Sequence, residues 1–372
     1  MIYLDNAATT FPKPVKVIES VNECLTRYCG NPGRGAHPLS LACAEKIYDC
    51  RTALADFLGL GAPERILFTH NTTHALNLAI KGLFRPGDHV LISELEHNAV
   101  RRPLCALKRT AGIDYERFPV VGLSPAQILD GIACRLRPRT AGVICTHAAN
   151  ICSISLPIGM IGQICRERGL LFVVDAAQSA GHLPIDMQQM QVDVLAAPAH
   201  KALYGIQGAG VLALAPHVFP TPLLEGGSGS DSLAEEMPLL PPERYEAGTL
   251  ATPSIVGLLA GMEFLKQRGL ASLAAHERSL FAATRERLES IPSLTVYARE
   301  QEGAVLLFNH DEYTPEEIAH RLAREGICVR AGYHCAPLAH EALGTLRRGA
   351  VRLSFGAFNT VAELDTLWKS LK

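Results

Sequence analysis

The chain has 372 residues, of which 48% are hydrophobic and 19% charged, with a formal net charge of −2. At about 150 residues per domain this length predicts two domains, or one large domain with an appendage, in a globular protein with a sizeable core. The near-neutral balance offers nothing to a polyanion, so neither nucleic acid nor an anionic membrane is expected as a partner.

The opening MIYLDNAATTFPKP lacks a basic start followed by an apolar stretch, so no signal peptide is expected. Helical stripes come first. Val17, Val21, Cys24 and Tyr28 mark one helix over 15–28. Ile47, Cys50, Leu54 and Phe57 mark another over 40–58, which Gly59 ends. Strand-like runs follow at Arg65–Thr69, His89–Ser93, Gly142–His147, Leu170–Asp175, Asp193–Ala197 and Gly210–Leu214. Several are apolar throughout, the pattern of parallel strands buried on both faces. The small, polar and proline-containing segment 225–249 reads as a loop or hairpin insertion. Helices near 254–267 and 271–291, strands near 295–298, 303–308, 326–330 and 350–354, and a helix near 361–371 then predict a smaller α+β unit. The longest apolar candidate, Ile255 to Leu265, is interrupted by Gly257, Gly261 and Glu263, and is far from the roughly 20 residues of a membrane span.

The eleven cysteines form no C-x-x-C pair and no disulfide framework, and so many free thiols predict a reducing cytoplasm. Cys145, His147 and Cys152 lie in and just after an apolar run and read as core rather than as metal ligands; no metal site is expected.

Six places carry chemistry. Lys201 directly follows the apolar run DVLAAPAH, at a strand end, where α/β sheets place ligands. It is either an ordinary solvated loop lysine, the commoner case for this residue type, or a desolvated one that loses its proton more easily and becomes a nucleophile. Asp175 closes LLFVVD. It is either a helix N-cap or the partner of a buried cation, and Gln178 lies three residues on. Thr72 and Thr73 open an apolar helix after a strand, which suits N-capping and suits a phosphate. His97 follows the strand His89–Ser93, as a polar loop residue or as a ring that stacks on an aromatic cofactor and moves protons. Cys335, in RAGYHCAPLAH, is flanked by His334. Near cationic groups a loop cysteine gains thiolate character, although an inert buried thiol fits the residue type as well. Arg352 alternates with Val351 and Leu353 along a strand, facing either solvent or a carboxylate that it clamps in two bonds.

Together these pieces, from YLDNAATT to RLSFGAFNT, resemble the class V aminotransferase family, and within it the SufS-like cysteine desulfurases and selenocysteine lyases. The resemblance implies a fold-type I transferase dependent on pyridoxal 5'-phosphate (PLP). It would have a large α/β domain (15–253) with a mainly parallel sheet, and a smaller α+β domain (1–14 with 254–372) that carries the cysteine loop. It implies Lys201 as the lysine joined to the cofactor, Asp175 at the ring nitrogen, Gln178 at the ring oxygen, His97 stacked on the ring and Asn150 beside it. Thr72, Thr73 and His200 would hold the phosphate, and Thr249 would reach the phosphate of a neighbouring subunit in a homodimer. Arg352 would clamp the carboxylate of L-cysteine. Cys335 would carry a persulfide to an acceptor protein. Selenocysteine lysis or another class V reaction is the alternative. Two departures stand out: Pro198 replaces a frequent serine, and KALYGIQG differs from the common KLYGPTG.

Overall fold

The computed structural model describes residues 1–33, 35–230, 232–298 and 303–372. It starts with strand β1 (Ile2–Tyr3) and helices α1 (Val15–Glu23) and α2 (Pro38–Phe57). Strand–helix alternation follows through β2 (Ile66–Thr69), α3 (Thr72–Leu83), β3 (His89–Ser93), α4 (Asn98–Ala111), β4 (Asp114–Phe118), α5 (Pro125–Ala133), β5 (Thr140–Thr146), α6 (Ile158–Arg168) and β6 (Leu171–Asp175). Strands β7 (Val194–Pro198) and β8 (Gly210–Leu214) end this run. Beyond it come α7 (Thr252–Arg268), α8 (Leu270–Glu289), β9 (Leu294–Tyr297), β10 (Val305–His310) and α9 (Pro315–Arg324). The last elements are β11 (Ile327–Cys328), β12 (Arg330–Gly332), α10 (Pro337–Ala342), β13 (Ala350–Ser354) and α11 (Val361–Leu371).

Strands β2 to β8 form one seven-stranded sheet in the order β2-β8-β7-β6-β5-β3-β4. Every pairing in it is parallel except the two made by β8. The unbroken apolar strands β2, β3, β7 and β8 are buried at every position, which is why their sequences do not alternate. Strand β4, DYERF, has no counterpart among the expected strands. It sits at the sheet edge, where half-exposed charged side chains guard the unpaired backbone, so no apolar run marks it.

A second, antiparallel sheet has the order β12-β13-β10-β9. Leu306, Phe308, Val351 and Leu353 from it pack with Leu280, Phe281, Ile318, Leu322, Leu364 and Leu367 in one apolar cluster. The strand expected near 326–330 is divided. Its first part, β11, pairs in parallel with β1, and its second part, β12, joins the antiparallel sheet. The helix expected over 15–28 is α-helical only to Glu23. It continues as a π-helical turn, Cys24–Tyr28, that keeps Cys24 buried on the same stripe. Cys145, His147 and Cys152 are core residues. Among the described residues no helix is long and apolar enough to cross a membrane.

The segment 225–249 carries no helix or strand among its described residues; Asp231 lies outside them. It is nevertheless anchored. Buried Arg51, on α2, donates to the carbonyl of Ile66 and to Glu246, whose Oε1 accepts from the Phe68 N–H at 2.6 Å. The Arg51 guanidinium also lies 4.7 Å from the Phe68 ring centroid. Replacing Arg51 by methionine strands a buried carboxylate and is expected to cost about 3–5 kcal/mol in urea unfolding. A loss below about 1 kcal/mol would class the pair with exposed ion pairs instead.

Candidate active site

The strands β2, β3, β5, β6 and β7 run the same way and all end at one edge of the sheet, and the residues at and just beyond those ends converge. Thr72, Thr73, His97, Asn150, Asp175, Gln178, Pro198, His200 and Lys201 line a single pocket. Sheet topology thus gathers residues that are far apart in sequence, at the position where α/β sheets bind ligands.

The pocket holds polar groups that the protein itself does not satisfy. Asn71, not a threonine, caps α3 by accepting from the His74 N–H at 2.9 Å. Thr72 is therefore not needed as the cap, and its buried hydroxyl has no partner. His200 Nδ1 and Asn150 Oδ1 are likewise buried and unpartnered. Gly210, the first residue of β8, permits this arrangement: a Cβ there would lie 2.4 Å from the Asn71 carbonyl carbon.

Asp175 is buried and is no helix cap; its Oδ1 accepts from the Ala177 N–H at 2.9 Å. Burial raises its pKa, and Lys201 is the cation that opposes the shift. Burial lowers Lys201 to about 8, against the pull of Asp175. Loss of hydration, with Lys201, Arg102 and Arg352 nearby, lowers His97 to about 4. The His97 ring is therefore neutral at pH 7. Its Nδ1 accepts from the Ala99 N–H at 3.0 Å, which leaves the proton on Nε2. Gln178 donates to the Ala7 carbonyl at 2.9 Å.

Arg352 is buried on β13, so neither face of that strand meets solvent. Its Nη1 donates to the Asn150 carbonyl at 2.9 Å and its Nη2 to Asp5 at 2.8 Å, while Nε is unpartnered. Asp5 also accepts from Nε and Nη2 of Arg330 at 3.0 and 2.9 Å. The arginine expected to face a carboxylate thus shares one from the N-terminal segment with Arg330, and the trio keeps a net positive charge for a second carboxylate.

The Cys335 turn is docked on the same pocket. Asn150 Nδ2 donates to the His334 carbonyl and the Asn98 N–H to the Cys335 carbonyl, each at 2.8 Å. His334 and Cys335 have φ of +49° and +54°, and two such non-glycine residues cost about 1–3 kcal/mol each, a strain typical of functional turns. The Cys335 side chain is exposed. The expectation that His334 supplies a cation beside the thiol is not met. Burial, then Arg352, drive His334 down to about 3.

A model of the aminotransferase class-V family matches residues 2–367. The chain belongs to that family. This class V chain is similar to a probable cysteine desulfurase of Pyrococcus abyssi, at 33% identity over 98% of this chain and 92% of the relative. It is also similar to a cysteine desulfurase of Klebsiella pneumoniae, at 31% identity over 100% and 93%. Among solved structures it resembles the apo cysteine desulfurase of Thermococcus onnurineus, with a TM-score of 0.90 and 32% identity over 100% of this chain and 93% of that one. The class V family implies PLP as cofactor.

Thr249 is not in the pocket of the class V chain. It is exposed and lines a separate groove with Asn31, Tyr48 and Ser228. Asp5, Arg330 and Glu96 escaped the sequence reading. Glu96 is wholly buried and accepts from Ser93 Oγ and the Thr146 N–H; burial raises it to about 8. An acid inside the apolar stretch LISELEH, and another after the apolar pair Tyr3-Leu4, were the available signals.

Proposed function

We propose that this chain is a PLP-dependent cysteine desulfurase that converts L-cysteine to L-alanine and retains the sulfur as a persulfide on Cys335. The observation that carries this reading is the docking of the strained Cys335 turn, through Asn150 and Asn98, onto the pocket that holds Lys201 and Asp175. Transamination needs no thiol there. The names of the relatives support the same reaction.

The residues present fit PLP. The unpartnered Thr72 hydroxyl and His200 Nδ1, with the free N–H groups at the start of α3, suit a phosphate, assisted by the exposed Thr73. Asp175 is a buried carboxylate held by a single backbone N–H, which suits a protonated ring nitrogen. Gln178 and Asn150 would hold the ring oxygen and its surroundings, and His97 would cover the ring face. Pro198 adds no hydroxyl, so the phosphate depends on the remaining donors. Bound there, PLP supplies an electron sink that acidifies the substrate α-carbon.

The residues of this chain then divide the work. Arg352 orients the substrate carboxylate. Lys201, with its pKa near 8, is partly neutral at physiological pH and takes the α-proton. Asp175 keeps a proton on the ring nitrogen, and the neutral His97 offers its Nε2 proton. The Cys335 thiolate attacks the substrate sulfur: an S–S bond forms, the C–S bond breaks, and its electron pair passes to the carbon that becomes the alanine methyl. Thr249 would complete the site of a second subunit in a homodimer, and an acceptor protein would take the persulfide in the cytoplasm. The proposed division into 15–253, and 1–14 with 254–372, places the cysteine on the smaller unit.

The test is to supply PLP-loaded protein with L-cysteine and, separately, L-selenocysteine, and to measure alanine and the mass of the Cys335 peptide. Alanine from L-cysteine with one added sulfur on that peptide is the expected result. Alanine from selenocysteine alone makes the chain a selenocysteine lyase, and amino transfer to a keto acid overturns the proposal.

A further inference from the structure

His334 is the outer member of a hydrogen-bonded chain that runs inward from the Cys335 turn. Its Nε2 lies 3.2 Å from the Arg330 carbonyl and its Nδ1 3.1 Å from Nε2 of His340. His340 Nδ1 lies 2.7 Å from Thr345 Oγ1. His340 and Thr345 are both buried, and the two imidazole planes differ by 11°.

Only one assignment of hydrogens satisfies this chain. A carbonyl can only accept, so His334 Nε2 carries a proton. Burial keeps both rings neutral, with His334 near 3 and His340 near 4. His334 Nδ1 is then a bare acceptor, and the donor must be His340 Nε2–H. His340 Nδ1 is in turn bare, and its donor is the Thr345 hydroxyl, whose single hydrogen takes this 2.7 Å contact over the 3.3 Å one to the His340 carbonyl. Thr345 is itself held, because its N–H donates to the His340 carbonyl at 2.8 Å. No lone pair on His334 is left to take a proton from Cys335.

We propose that His340 and Thr345 are positioning residues: through His334 they fix the left-handed turn that presents Cys335, and His334 serves this relay instead of acting as a base on the thiol. The relay pins the turn from its inner side, and Asn150 and Asn98 pin it from the pocket side. The inference builds on the reading of Cys335 as sulfur carrier, but it can be tested without turnover.

The test uses PLP-loaded wild-type protein and the variants Thr345→Val, Thr345→Ser and His340→Leu. Amide hydrogen exchange is read at Asn98 and Ala336, whose N–H groups bond the Cys335 and Tyr333 carbonyls. Iodoacetamide alkylation of the Cys335 peptide is followed against pH by mass spectrometry. Thr345→Val should speed exchange at both amides about three- to tenfold, the loss of one buried hydrogen bond, and His340→Leu, which removes two, should speed it at least as much. Thr345→Ser should restore the wild-type rate. The pH midpoint of alkylation should stay where it is in the wild type, because no base has been removed. Unchanged exchange in both disruptive variants overturns the relay. An upward move of the alkylation midpoint overturns the positioning role in favour of an acid–base one. If His340→Leu unfolds, the valine and serine pair at 345 decides alone. A chain that made no alanine would still return these exchange results, so the two failures are distinguishable.

Discussion

Cys335→Ala protein is expected to bind PLP with wild-type absorbance and to form no persulfide and almost no alanine from L-cysteine. The thiol is exposed, on a turn that makes its pocket contacts through backbone carbonyls, so removing Sγ leaves the Asn150 and Asn98 hydrogen bonds in place. Cofactor binding and catalysis should therefore separate cleanly. Selenocysteine should remain a substrate to a greater extent, since selenium leaves carbon more readily than sulfur does. Alanine and free sulfide at wild-type rates from this variant would remove Cys335 from the reaction.

Lys201→Ala protein should lose about 10²–10⁴-fold or more in turnover, the usual contribution of a positioned base, together with the covalent attachment of the cofactor. Borohydride treatment of wild-type holoprotein should label the Lys201 peptide, and the variant should take up no label. A competing lysine is close by. Lys13 is also lowered to about 8 by burial, and its Nζ donates to Thr10 Oγ1 at 2.7 Å and to the His200 carbonyl at 2.8 Å. Those bonds commit Lys13 to holding the His200–Lys201 backbone. A label found on Lys13 would overturn the assignment.

The residues nearest the chemistry were readable because each follows a strand whose apolar run is itself conspicuous. Asp175 ends LLFVVD, and Lys201 follows DVLAAPAH. What stayed hidden depends on partners distant in sequence. Arg330 looks like a surface arginine until Asp5 is placed beside it, and Glu96 looks like a loop acid until β5 supplies the Thr146 N–H. Likewise His340 and Thr345 sit in PLAHEALGT with no periodicity to mark them, and only the fold lines them up behind His334. Strand β4 was missed for a different reason, since an edge strand keeps its charge. The likeness to a known family supplied the role of Thr249, which the pocket of one chain does not contain.

Asp5 meets Arg352 across 347 positions of sequence, and Thr10 donates its N–H to the carbonyl of His200. During synthesis on a ribosome, residues 1–14 emerge well before β13 and must wait for it before Asp5 finds its second arginine. Contacts of such long range close late in folding. The sheet can assemble while the arginine proposed to receive a substrate is still untranslated, so the pocket becomes competent only once β13 has joined it.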